Sequence, residues 1–274
     1  MDQLVKIDKL GDAIINLTNK LADGIGWICC RETPQKIAIN TYINEIQQKD
    51  YDPLMKAALI SKAKQTIKEY SNQNKIVAIA MQTLQSDAEP EEIENDWLVR
   101  FMDKAKYVSS QEFQGIWGKI LARECNKPGS IPPALLYTLE KMDKEDAEAF
   151  TGLCRISVKM DEEAAPVVIN ERFSEYKDLI GLNFDKLLSL NALGLIEMDL
   201  GAITSCYVLE SDQLPAVVTY YGKKYESAEN LRINVGNVLF TKAGQALYQS
   251  IEAGEVDGFW EKFCIPFWKE TELV

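Results

Sequence analysis

Apolar residues at Ile7, Leu10, Ile14, Leu17 and Leu21 recur at alternating steps of three and four. That is the seam spacing of a coiled coil, and it predicts one amphipathic helix over residues 1–30. Toward its end the stretch LADGIGWICC turns more apolar. Gly24 and Gly26 weaken the helix there, while Ile25, Trp27 and Ile28 continue the apolar surface. Such a face needs cover: another helix of the same chain or of a second subunit, or a bilayer with Trp27 at its interface. A membrane-surface helix carries a clearly basic polar face, and this one is mixed and slightly acidic, which favours helix packing.

A second helix is predicted over 35–49, after Pro34, and the chain breaks at KDYDP. Asp52 is placed to cap a third helix and Pro53 to occupy its first position. Met55, Leu59, Ala63, Ile67, Tyr70, Val77, Met81 and Leu84 then pattern a run free of glycine and internal proline. At about 1.5 Å per residue it spans about 45–50 Å, a length that calls for a partner along most of it. The acidic SDAEPEEIEND, 86–96, reads as a solvated connector closing a helical arm, 1–86.

In the following segment Asp96 is placed to cap a helix to about Tyr107, with Trp97 and Phe101 on one face. Ser109 and Glu112 stand at capping-box spacing before a helix striped by Phe113, Trp117 and Leu121. Two more helices, 131–142 and 144–158, the latter capped by Asp143, complete an expected four-helix unit over 87–160. Trp97, Phe101, Phe113, Trp117 and Leu121 are its predicted structural hub, joining the arm to the C-terminal domain.

Beyond DEEAAP the texture changes. FDKLLSLNALGLIEM, 184–198, reads as a helix stopped by Gly194 with a strand behind it. SCYVLE, AVVTYYG, LRINV and VLF read as strands, and Thr241 caps a last helix. That order is winged-helix-like, so the fold expected is mainly α with a C-terminal α+β part over 161–274. The aromatic tail DGFWEKFCIPFWKETELV is expected to dock on the body of the protein.

Chemistry is limited chiefly by one absence: the 274 residues include no histidine. Ser-His-Asp and Cys-His nucleophiles and His-ligated zinc are thereby excluded. Six cysteines show no CxxC spacing. The pair Cys29–Cys30 is read as packing at the end of an apolar helix, with a redox switch as its alternative. No P-loop, GxGxxG, nucleophile elbow or kinase signature is present, and no cofactor is expected. Glu197, Asp199, Lys223 and Lys224 are the candidates for a histidine-free nuclease, but they are scattered over strand-like segments. The reading is therefore non-enzymatic, with a metal-dependent nuclease or DNA-binding regulator as the distant alternative.

The net charge is −12. Residues 31–86 carry about +3, against about −1 for 1–30 and about −7 each for 87–163 and 164–274. A polyanion is repelled at long range, and helix 184–193 offers bases and phosphates little beyond Lys186, so nucleic acid is not the expected partner. YYGKKY, 220–225, reads as a β-turn with its lysines in solvent. Without a spanning segment or signal peptide, the chain is expected in the cytoplasm, with a peripheral place at the inner membrane as the alternative.

EEIENDWLVRFMDKAKYVSSQEFQGIWGKILARECNKPGSIPPALLYTLEKMDKEDAEAF, 91–150, carries a DW opening, SSQEFQGIW, KILARE, a PGS break and KEDAEAF. With NALGLIE and LFTKAGQAL it resembles the bacterial family known as domain of unknown function 2806. That resemblance implies no catalytic residues. The arm with its GIGW stretch is similar to abortive-infection proteins of the alpha type, which implies phage defence. Those proteins carry basic residues after the glycine-containing segment, where this chain has only Arg31 and then Lys36. The function expected is a self-associating interaction protein, forming a homo-oligomer or binding a protein partner through the arm. A membrane-acting effector using residues 1–30 is the alternative.

Overall fold

The computed structural model describes residues 2–29, 35–198 and 206–270. The chain forms two compact units, 1–136 and 137–274. The fold is mainly α with a C-terminal α+β part, as the pattern predicted. The expected boundaries at 86 and 160 are not where the units divide.

The first unit begins with α1 (Asp2–Ile25), α2 (Gln35–Gln47) and α3 (Pro53–Gln82). Asp52 caps α3 as expected, its Oδ1 accepting from the amides of Leu54 at 2.9 Å and Met55 at 3.0 Å, with Pro53 in the first turn. A 3₁₀ turn (Pro90–Glu92), α4 (Asn95–Ala105), α5 (Gln111–Asn126) and the start of α6 (Pro133–Lys141) follow. Neither expected cap for α4 and α5 is formed. The position before α4 is Glu94 and that before α5 is Ser110, and neither makes a side-chain capping bond.

Packing explains why the arm is no separate domain. The second half of α3 buries Asn72, Ile76, Val77 and Ala80, and α3 packs extensively on α5. Gly118 permits the close approach: a Cβ there would stand 2.5 Å from Ile79 Cγ2 and 3.1 Å from Ile76 O. Side-chain amides finish the joint. Asn72 donates to Lys106 O and Gln73 to Met102 O, both at 2.9 Å, satisfying carbonyls at the C-terminal end of α4.

The expected four-helix unit does not form as a body of its own. α4 and α5 pack with α1 and α3, whereas α7 (Lys144–Arg155) packs on α8 (Glu175–Ile180) and α9 (Phe184–Ala192) in the second unit. Asp143 caps α7 with a full capping box through Asp146.

In the second unit Gly194, at φ +71°, ends the α9 region, and β3 (Ile196–Met198) follows. β3 pairs antiparallel with β8 (Val238–Phe240). A long insertion separates these two strands in the sequence. β1 (Ser157–Met160), β2 (Glu163–Pro166), β5 (Ala216–Tyr220) and β6 (Lys223–Ser227) form a sheet of order β2-β1-β5-β6. β4 (Tyr207–Ser211) and β7 (Leu231–Gly236) form a separate ribbon. Thr241 caps α10 (Lys242–Tyr248), accepting from Gly244 N at 3.1 Å. β1, β2 and β6 were not foreseen: residues 157–158 read as helix and 220–225 as turn.

The aromatic tail docks within this unit as expected. Its π-helical turn Phe259–Cys264 and α11 (Ile265–Glu270) bury Phe259, Trp260, Phe263 and Trp268. Trp260 stacks on Tyr220 at 5.8 Å, and Trp268 Nε1 donates to Asn234 O at 2.9 Å.

Candidate interaction surface

The α1 seam is covered by the first unit itself. Leu17, Leu21 and Trp27 are buried; α1 lies on α4 and the 3₁₀ turn, and Trp27 stacks on Tyr70 of α3 at 5.8 Å. Leu10, Ile14 and Ile25 are half-buried, and Ile28 is exposed. The side chain of Ile7 lies outside the described residues. Cys29, expected as packing surface, is exposed, and Cys30 lies outside the described residues.

The hub residues come together inside the same unit. Trp97 stacks on Phe101 at 5.1 Å and Phe101 tilts against Trp117 at 5.2 Å. Leu121 is buried beside them in sequence on α5, and Phe113 is half-buried. Trp97 Nε1 donates to Ile131 O at 3.1 Å. The cluster thus ties α4 to α5 and to the loop before α6, all within residues 1–136. Glu124 organises that loop: its carboxylate oxygens accept from Gly129 N at 2.7 Å and Ile131 N at 2.8 Å. Burial pushes its carboxyl above the usual range, against the lowering effect of those amides.

The nuclease candidates do not converge. Glu197 lies on β3 and Lys223 and Lys224 on β6, in different sheets, and Asp199 lies outside the described residues. Lys223, read as solvent-facing, pairs with Glu255 at 2.7 Å and Glu261 at 3.0 Å, which pin the tail and raise its pKa. Among the described residues no group of three or more Cys, Asp or Glu could hold a metal ion. The buried thiols of Cys125, Cys154 and Cys264 are all pushed up by desolvation, the inert rather than the nucleophilic direction.

What stays open is the α2–α3 hairpin. Along the first half of α3, Leu59, Ile60, Ala63 and Ile67 are only half-covered, α2 being the element packed there, and of the α2 apolar residues only Ile46 is buried. The tip presents Tyr51, Leu54 and Met55, with Leu54 80% exposed, and Ile37 is exposed on α2. Lys62, Lys64 and Lys68 are exposed along the same half of α3. The helix pair thus leaves much of its own apolar surface exposed.

The acidic run 86–96 differs from its expected role. It is a strap docked on the unit: Leu84, Ala88, Pro90 and Ile93 are buried, while Asp87, Glu89, Glu91, Glu92 and Glu94 point out. Glu89 N donates to Cys125 O at 2.8 Å and Lys20 Nζ to Glu91 O at 2.9 Å. Asn16 Nδ2 donates to both oxygens of Glu91, at 3.3 and 3.2 Å. A polar cleft of about 400 Å³ opens there, lined by Asn16, Asn19, Lys20, Asp23, Glu91 and Asn95. Sequence reasoning missed this strap because its charges hid the apolar residues set between them.

Among the described residues no helix is long and apolar enough to cross a membrane. Neither a curated protein nor a solved structure matches the chain. The model of one family, described as Protein of unknown function (DUF2806), matches residues 59–263, from within α3 to the docked tail. On that match over most of its length, the chain belongs to the DUF2806 family.

Proposed function

We propose that the protein is a non-enzymatic interaction protein that self-associates through its α2–α3 hairpin. One observation carries this reading: the hairpin leaves Leu54, Met55 and Ile37 exposed, and among the described residues α2 is the element packed along the outer half of α3. A second copy is the occupant that charge favours. The segment 31–86 carries about +3 on a chain of −12, so another molecule of the same protein brings a complementary, acidic surface. The α1 face, the other candidate, already has its cover in Leu17, Leu21 and Trp27, which works against the membrane-effector reading. In the cell such an assembly would serve phage defence, the setting implied by the likeness of the arm to abortive-infection proteins.

Light scattering on the full-length protein at micromolar concentration tests the proposal. The wild type is expected to run as an oligomer, and Leu54→Glu with Met55→Glu as a monomer of unchanged helical content. A wild type that stays monomeric overturns it.

A further inference from the structure

Resting on self-association, the structure points to which surfaces meet: we infer that the outer face of α3 in one copy seats on the acidic strap of a second copy. Lys64, Lys68 and Lys75 follow one another at steps of four and seven residues, so they share one face of α3. That row extends over about 16 Å at 1.5 Å per residue. All three are exposed, and among the described residues none of them forms an ion pair.

The strap presents the matching row. Asp87, Glu89, Glu92, Glu94 and Asp96 are exposed and, among the described residues, likewise form no ion pair. Its backbone is held at Gln85 N, which donates to Asn126 Oδ1 at 2.9 Å, and at Glu89 N on Cys125 O. Ala88, Pro90 and Ile93 anchor it from below. The backbone that carries the carboxylates is therefore tied to the unit and is not a loose linker. A preorganised row of like charges gains most from a row of fixed opposite charges.

Lipid and nucleic acid fit this pair poorly. A polyanion drawn to the lysines would be repelled by a strap in the same unit and by a net charge of −12. A second copy offers both rows at once. In a two-fold dimer each lysine face meets the partner strap, so the contact is made twice.

Charge reversal separates this inference from the reading beneath it. Lys64→Glu/Lys68→Glu and Glu89→Lys/Glu92→Lys are each expected to weaken assembly by about tenfold or more at low salt. Mixed in equal amounts, the two variants are expected to form a hetero-oligomer of near wild-type strength, resolved by native mass spectrometry. Wild-type assembly that neither variant weakens, or that mixing fails to restore, overturns the inference and leaves self-association standing. A monomeric wild type removes both. Flotation of the wild type with anionic vesicles, lost in Lys64→Glu/Lys68→Glu, would give the face to lipid and also overturn the inference.

Discussion

Replacing Gly118 with alanine tests the α3–α5 joint directly. Two opposing effects fix the expected size. Alanine is favoured over glycine inside a helix by about 1 kcal/mol. Against this, the new methyl would lie 2.7 Å from Ile79 Cβ and 3.1 Å from Ile76 O. Both atoms are fixed by the α3 backbone, so no rotamer change relieves the contact, and the cost belongs at the upper end of the usual 1–3 kcal/mol for overpacking. The net effect is a loss of about 2 kcal/mol, or about 8 °C in Tm for a unit of this size. Gly115 on the same helix supplies the control, since a Cβ there meets nothing within 4 Å. Gly115→Ala should raise stability by up to about 1 kcal/mol. Differential scanning calorimetry on both variants should move the transition in opposite directions. A Gly118→Ala protein melting at or above wild type would refute the close-approach argument.

Truncating the buried Trp117 to alanine should cost about 3–5 kcal/mol, seen as a lower denaturant midpoint in equilibrium unfolding. Tyr176→Phe removes the hydroxyl that donates to Val167 O at 2.8 Å and accepts from Ile169 N at 2.9 Å. With both groups left buried, urea titration should register a loss of about 1–3 kcal/mol. Glu124 should titrate above the ordinary carboxylate range, as carbon-detected NMR would show. Because its folded pKa is raised, its favourable contribution is complete below the unfolded pKa and is lost as pH rises through the folded value. A midpoint at or below the ordinary range contradicts the assignment of burial as the dominant cause.

Local signals in the chain were readable where one residue type has one use. Asp52, Asp143 and Thr241 cap the helices they were expected to cap, and Gly194 stops the α9 region, because short oxygens and a positive φ act over three or four residues. The α1 stripe was readable as a face needing cover, but not what covers it: spacing carries no address. The strap was unreadable for a different reason. Charge dominates its composition, and a 3₁₀ turn between irregular segments gives Ala88, Pro90 and Ile93 neither helical nor strand period. β6 misled similarly, since its pattern KKYES is polar and its order comes from pairing with β5. The division inside α6 could not be foreseen, because a helix apolar at Leu135, Leu136 and Leu139 does not state which neighbours each will meet.

The unbroken course of α3 has a consequence of its own. Its inner half is gripped by α4 and α5 and its outer half carries the hairpin, with no glycine or proline between Leu54 and Gln82 to let one turn against the other. The helix therefore acts as a keyed shaft. One residue added near its middle swings everything outboard by about 100° and lengthens it by about 1.5 Å. Seven added residues nearly restore the bearing while carrying the tip outward by about 10 Å. Reach and aim of the hairpin can thus be set separately by residue count alone, while the gripped half keeps its seat.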